Sequence, residues 1–561
     1  MAIKSLQASW LKYSTKKNII FSLLFVLTSY LTFSQQILTK QWDRRFGGSS
    51  GDVLDILLET KGGGYILGGS SASEASGDKS ESNWDISLLT RDFWILEIDS
   101  DSNKLWDKRF GGTSTEGLYS LQQTTDAGYI LAGRSYSGMN GNKTQPSWGS
   151  GDYWVVKVDS IGNKQWDKRF GGILDDELYA VQQTSNGGYI LGGYSFSGIG
   201  GDKTQDNRDL TNSTSDFWVV KIDSSGNKQW DKRFGGNDMD GINSLLQTCD
   251  GGYILGGTSS SGISGDKTQT NWDTITFSYD MWIVKIDSSG YKLWDKRFGG
   301  KSSDHLFNVL QLSDGGYLMA GASASGIEGD KTSNGTGYWI VKIDSAGNKL
   351  WDKVYQPATA DPARISSFFI TKDGGFLIGN FSGLNAGGDK SEDNLGPTQT
   401  WVVKTDSLGN KQWDKTIFTT GFDDSGYAIE TKEGCYLIGN YTFAGIGGYK
   451  TQSNWAGSTD CWVVKFCFEA VGINDLNDNP NVLVYPNPFT TDIAITLQKE
   501  NLKEATFTIS NMLGQVLFIK EENNLASSYT KMLDLSYLPN GVYLVEVIAD
   551  GERVVKKVVK E

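Results

Sequence analysis

Short runs of alternating apolar and polar residues recur along this chain, and the runs themselves repeat. Between residues 36 and 468 lie seven near-copies of one segment of about 60 residues, a period that marks a repeat architecture. In the most regular copy, Leu178 to Thr184 is followed by Asn186-Gly187 and then by Tyr189 to Ser195. An Asn-Gly or Asp-Gly pair between apolar runs predicts a hairpin, because both central residues need positive φ. The same turn recurs at Asp250-Gly251, Asp314-Gly315 and Asp373-Gly374. Further on, Trp218, Val220 and Ile222 alternate with Val219, Lys221 and Asp223. That period of two predicts a third strand with two differently solvated faces. The turn Ser224 to Asn227 feeds a fourth strand, Lys228 to Phe234. No stretch of the repeat has helical periodicity, and Pro146, Pro357, Pro362 and Pro397 all fall between predicted strands.

The two ends of the repeat region complement each other. A lone fourth strand with Trp42 opens it, and the last copy stops after its third strand, Cys461 to Cys467. Pairing of these two strands would close a ring and leave no long free edge. The expected fold is therefore all-β, a seven-bladed β-propeller over residues 35–468 closed by the amino-terminal strand; the alternative is an open β-solenoid with atypical end repeats. Of the 19 tryptophans, seven stand in a W-D element from Trp42 to Trp413 and seven open a W-V-V-K element from Trp94 to Trp462. These are framework residues.

The 561 residues, 69 of them glycine, suit many short strands joined by tight turns. Lys4, Lys12, Lys16 and Lys17 precede an apolar run from Ile19 to Phe33, with Thr32 and Ser34 as small residues before a cut near Gln35, so residues 1–34 read as a signal peptide. Its removal takes four lysines and no acid from a chain whose net charge is already −14. Such a surface repels phosphate backbones, and nucleic acid is excluded as a partner. Of four cysteines, Cys435 at the start of a second strand and Cys467 at the end of the third are expected to lie close enough to bridge; the alternative is two buried thiols.

Two resemblances add to this. The hairpin Asp223 to Trp230 resembles the tryptophan docking motif of quinoprotein-like propellers, with shorter spacing and without the alanine before the aspartate; the likeness implies the fold and no quinone cofactor. After a linker at 469–481, residues 482–561 carry Tyr485-Pro486-Asn487-Pro488, a Met512-Leu513-Gly514-Gln515 centre, a Pro539-Asn540-Gly541-Val542-Tyr543 hairpin, and Lys556-Lys557 near the end. Short strands and an Asn-Gly turn suggest a small Ig-like β-sandwich. These motifs, in this order, resemble the type A carboxy-terminal sorting domain of the type IX secretion system of Bacteroidetes. The resemblance implies export through the type IX translocon, removal of the domain by a sortase-like peptidase, and a protein either released or held at the outer-membrane surface. The alternative for this domain is an ordinary accessory binding module.

Chemistry-bearing motifs are few. The single histidine, His305, excludes imidazole metal clusters and a repeated Ser-His-Asp site, and reads as a polar loop residue. Asp238 and Asp240, or Asp475, Asn477 and Asp478, are possible calcium ligands without EF-hand spacing; solvated turn acids are the simpler reading, and no metal or cofactor is assigned. The seven Gly-x-Lys-Ser/Thr turns, from Gly77-Asp78-Lys79-Ser80 to Gly448-Tyr449-Lys450-Thr451, lack the upstream glycine and helix of a phosphate loop and read as framework. The connections after them vary in length and carry Trp84, Trp148, Trp272 and Trp455 near Asn and Asp. Indoles in such settings suit sugar stacking or cation-π contact, and equally an apolar plug that folds each loop onto its blade. The functional expectation is a monomeric binding or adhesion scaffold with glycans as the candidate ligand; the alternative is a polysaccharide hydrolase with carboxylates near a central channel.

Overall fold

A computed structural model describes residues 38–85, 87, 89–274, 278–359, 365–468, 481–511 and 516–561. The expected signal peptide, most of the linker, Met512 to Gln515 and part of the irregular segment Gln356 to Arg364 lie outside the described residues. All the regular structure among the described residues is β-strand. The chain divides into two units, one spanning Lys40–Cys467 and one containing Phe468–Glu561.

Among the described residues the first unit holds seven four-stranded sheets. The third sheet, Asp176–Gln183, Tyr189–Ser195, Asp216–Ile222 and Lys228–Phe234, represents them. Its hairpin turns where Gly187 takes φ 83°. Its strands meander in order, as they do in the five sheets that surround it in sequence. In the seventh sheet the fourth strand comes from the other end of the chain: Leu38–Phe46 pairs with Asp460–Phe468. Trp462 donates its indole N–H to Asp43 at 3.0 Å across this join. The same bond is internal elsewhere, as from Trp218 to Asp231 at 3.2 Å. A disulfide links Cys435 to Cys467 beside the join.

No sheet owns its core. One apolar cluster combines Val155 and Phe170 of the second sheet with Leu178, Leu191 and Trp218 of the third, and another combines Leu437 and Val463 of the seventh with Leu54, Leu67 and Trp94 of the first. Because a sheet lies on each side, every residue of Asp216–Ile222 is buried. This corrects the expectation of a solvated face: Lys221 is enclosed and donates to the Ile222 carbonyl at 2.9 Å. The Gly-x-Lys lysines are buried as well. Lys203 donates to Ser195 Oγ at 2.9 Å, to the Ser197 carbonyl at 2.5 Å and to Asn207.

Where consecutive sheets meet, two buried acids face each other: Asp92 and Glu116, Asp152 and Asp176, Asp216 and Asp240, Asp280 and Asp304, and, across the chain ends, Asp460 and Asp52. A Cβ on Gly171 would lie 2.0 Å from the Asp152 carboxylate, so this Phe-Gly-Gly corner requires glycine. Burial, joined by the partner's charge, pushes Asp92, Asp152, Asp240, Asp280 and Asp460 up to about 7. Between the sixth and seventh sheets Gln399 takes the place of one acid and donates its amide N–H to Asp423 at 3.0 Å. That amide is a permanent version of the protonated carboxyl that the five acid-paired joints need.

The sign of the pH dependence follows. A carboxyl that titrates near 7 when folded and near 4 when unfolded stabilises the fold fully at low pH and loses that contribution as pH rises through 7. Full ionisation costs on the order of 2 to 4 kcal/mol per pair. The thermal unfolding midpoint of the secreted chain is therefore expected to fall between pH 5 and 7.5, a window below the titration of the buried lysines near 8. Gln399→Glu should steepen that fall and Asp280→Asn should flatten it. A midpoint flat across the window in all three proteins would contradict the assignment.

The second unit has a three-stranded sheet (Val482–Tyr485, Asp492–Gln498, Ser528–Asp534) and a four-stranded sheet (Val516–Asn523, Glu504–Asn511, Gly541–Ala549, Glu552–Lys560). Ile493, Ile495 and Leu497 from one and Phe507, Ile509, Val545 and Val547 from the other share one core.

Candidate functional site

A frame so regular makes its irregular positions visible. In five of the sheets the first strand carries a β-bulge at one place, and the residue skipped by the pairing is Asp55, Tyr119, Tyr179, Asn243 or Phe307. Bulges re-aim a side chain. The residues before them, Leu54, Leu118, Leu178, Ile242 and Leu306, are uniformly apolar and buried, whereas the bulged ones range over a carboxylate, two phenols, an amide and an apolar ring.

Neighbouring members of the row touch. The rings of Tyr119 and Tyr179 stack at 5.0 Å with an interplanar angle of 12°, and Tyr194 continues the stack 5.7 Å from Tyr179. Glu177 holds this wall: it accepts from Tyr179 Oη at 2.9 Å and pairs with Arg134, whose guanidinium lies over Tyr119 and Tyr136 at 5.8 and 5.3 Å. Burial pushes the Tyr119 hydroxyl up to about 12 against the field of Arg134, so it stays a donor. On the other side of Tyr119 stands Asp55, half-buried. Burial pushes its carboxyl up to about 7; Arg91 opposes that shift and Asp424 adds to it. Asp424 accepts from Tyr441 Oη at 2.6 Å. His305 also belongs to this region, in the strand Asp304–Gln311 with its ring 5.2 Å from Tyr279; the expectation of a loop histidine is corrected by that placement.

The four loop indoles have a different geometry. Each is partly exposed, and each hands its N–H to the Gly-x-Lys turn of the next sheet: Trp84 to Asn142 at 3.0 Å, Trp148 to Asp202 at 3.2 Å, Trp272 to Asp330 at 2.9 Å and Trp455 to Asp78 at 3.2 Å. An arginine of the indole's own sheet covers one ring face, at 4.7, 4.8, 4.6 and 4.2 Å for Arg109, Arg169, Arg297 and Arg45. Arg169 also reaches Asp202 at 2.7 Å. In the third sheet Arg208 stands in place of the indole and pairs with Asp266 at 3.0 Å. The Trp455 contact joins the last sheet to the first.

In the second unit the sequence motifs from both ends come together. Asn487 donates to the Lys557 carbonyl at 2.9 Å and accepts from Val559 N–H at 2.8 Å. Tyr485-Pro486 and Asn487-Pro488 are cis. Tyr543 Oη donates to the Pro539 carbonyl at 2.5 Å within the hairpin that Gly541 opens into its strand. Lys556 and Lys557 lie on the last strand, with Lys557 exposed. The buried Lys560 ammonium caps the carbonyls of Leu535, Ser536 and Leu538 at 2.8, 2.8 and 2.7 Å. Gly514 lies outside the described residues. Among the described residues no group of three or more His, Cys, Asp or Glu side chains is placed to hold a metal ion. Asp240 is committed to its buried joint, and Asp475, Asn477 and Asp478 fall outside.

Residues 483–561 match the family described as the secretion system C-terminal sorting domain. The carboxy-terminal unit is a type IX sorting domain, and the protein is secreted or attached to the cell surface. Regulatory protein FlaEY of Caulobacter vibrioides is 22% identical over 424 residues, which cover 70% of this chain and 42% of that protein. The chain thus spans less than half the length of that relative. Among solved structures, puromycin hydrolase has a TM-score of 0.41 at 8% identity, covering 81% of this chain and 59% of that one. The N-terminal domain of Nup159 has a TM-score of 0.34 at 8% identity, with 77% and 95% covered. Likenesses this weak carry no argument about this chain.

Two outcomes are expected. Lys560→Met leaves three buried carbonyls uncapped, which costs about 2 to 3 kcal/mol; the variant should accumulate inside the cell envelope, and normal secretion would show that the cap is dispensable. Trp148→Ala removes a clip and should lower the unfolding midpoint by several degrees, an effect of about 1 to 2 kcal/mol. An unchanged midpoint with lost ligand binding would instead make that indole a ligand contact.

Proposed function

We propose that the protein is a secreted or surface-displayed seven-bladed β-propeller, closed into a ring by the strand Leu38–Phe46, that binds extracellular glycans at the mouth of its central channel. Strand pairing and the Trp455 to Asp78 bond between the chain ends support the ring. In such a ring the first strands of the sheets line the axis, and the bulge row faces the channel. Type IX export delivers the folded propeller, and a sortase-like peptidase then removes the sorting domain. The four loop indoles act as clips between blades, while the ligand sits on the row.

One observation carries the binding reading: at one bulge position of a repeated frame the residue type changes from carboxylate to phenol to amide, and its two tyrosines join Tyr194 in a stacked wall. Loops and bulges on a rigid scaffold are where recognition residues sit, and tyrosine faces suit the C–H faces of a sugar ring. The purified secreted protein is expected to bind members of a glycan array, and Tyr179→Ala should weaken the strongest interaction about tenfold while leaving the fold intact. An array without a single specific signal would refute the reading.

A further inference from the structure

Asp55 is the member of the row that the frame leaves open. Its neighbours Tyr119 and Tyr179 are held in a wall by Arg134 and Glu177, and Asp424 is engaged by Tyr441. Among the described residues the Asp55 side chain makes no hydrogen bond and no ion pair within 4.0 Å. It occupies the bulge between Leu54 and Ile56, at the same place in its strand as Tyr119 and Tyr179 in theirs. A half-buried carboxylate without a protein donor, beside an aromatic wall, is an acceptor waiting for donors from outside.

We propose that Asp55 is the polar anchor of the ligand seat, accepting hydrogen bonds from the hydroxyls of a neutral sugar whose ring stacks beside Tyr119. This rests on the glycan-binding reading given above and narrows it. The carboxylates of Asp55 and Asp424 stand together on one side of the seat, and Arg134 is already paired with Glu177, so a polyuronate meets like charge and a neutral glycan does not. The charged and titratable groups around Asp55 are Arg91 of its own sheet, Tyr119 of the second, and Asp424, Tyr427, Tyr441 and the buried thiol of Cys461 of the seventh. Burial pushes Tyr427, Tyr441 and the Cys461 thiol above their ordinary values, away from neutrality, and brings Asp55 up to about 7. Ionisation makes it a stronger acceptor, and binding tightens as the pH rises through about 7.

The test is titration calorimetry of the secreted protein with cellohexaose, mannohexaose, xylohexaose and tetragalacturonate at pH 6, 7 and 8. At least one neutral oligomer is expected to bind, more tightly at pH 8 than at pH 6, and tetragalacturonate to bind least. Asp55→Asn should weaken the neutral ligand about tenfold and erase the pH slope. Arg91→Ala, at an exposed position, removes the cation that favours the ionised form and should move the midpoint of the binding curve to higher pH. A neutral ligand bound equally well, with the same slope, by the Asp55→Asn protein overturns the anchor and leaves the glycan reading standing. A preference for tetragalacturonate overturns it too. Binding to none of the four probes overturns both.

Discussion

Everything in the repeat unit depends on the joint between one sheet and the next. A four-stranded sheet of this size has two apolar faces and cannot bury either by folding on itself, so each face is finished by a neighbour. The joint adds direction to that non-specific need. Asp202 of the third sheet is gripped by Arg169, Trp148 and the Gly171 amide of the second, while Asp152 and Asp176 meet behind it in a site with no room for a Cβ on Gly171. Apolar contact alone would allow sheets to slide. A buried charge that has one geometry for its partners does not allow it.

The same joint shows what constancy in a repeat means here. Positions that touch the next sheet admit little change, and several replacements keep a contact there: Arg208 for an indole, Gln399 for a carboxyl, and Tyr449, stacked on Phe418 at 5.5 Å, for the turn aspartate. Positions in the bulge row touch the next sheet too, as Tyr119 on Tyr179 and Asn243 on the Leu306 carbonyl do, yet the joint does not demand one residue type there. Tyr179 and Asp55 occupy equivalent places with nothing in common chemically, and the frame beneath them is the same. Freedom of residue type at a fixed place in the fold is the physical condition for evolving a binding site there.

Much of this was legible in the residues. The Asn-Gly turn at 186–187, the meander of four strands, the framework role of Lys203 and the pairing partner of Cys435 all follow from local rules, because a turn needs its φ and a strand its period. What local rules miss is burial set by a neighbour. Alternation in Trp218 to Asp223 suggests one wet face, yet the next sheet covers it, and only Lys221 with its acceptors inside reveals how the charge is tolerated. The bulge row was hidden for a related reason. Its signal is present in the spacing, since Leu178 and Val181, Leu118 and Leu121, and Leu54 and Leu57 are buried pairs three apart where an unbroken strand would place them two or four apart. That spacing of three is a residue inserted into the period, and it points at Tyr179, Tyr119 and Asp55.

The sorting unit follows the opposite logic, and the contrast bears on how it is read. In the repeat unit identity is local and the site is distributed. In the sorting unit the motifs are far apart in sequence and meet only after folding: Asn487 is bonded to the backbone at Lys557 and Val559, and Lys560 ties the last strand to the turn at Leu535 to Leu538. An unfolded segment would not present Tyr485 to Phe489 and the final strand together. The motifs of the sorting domain therefore form one surface only in the folded unit, which is where the match over residues 483–561 lies.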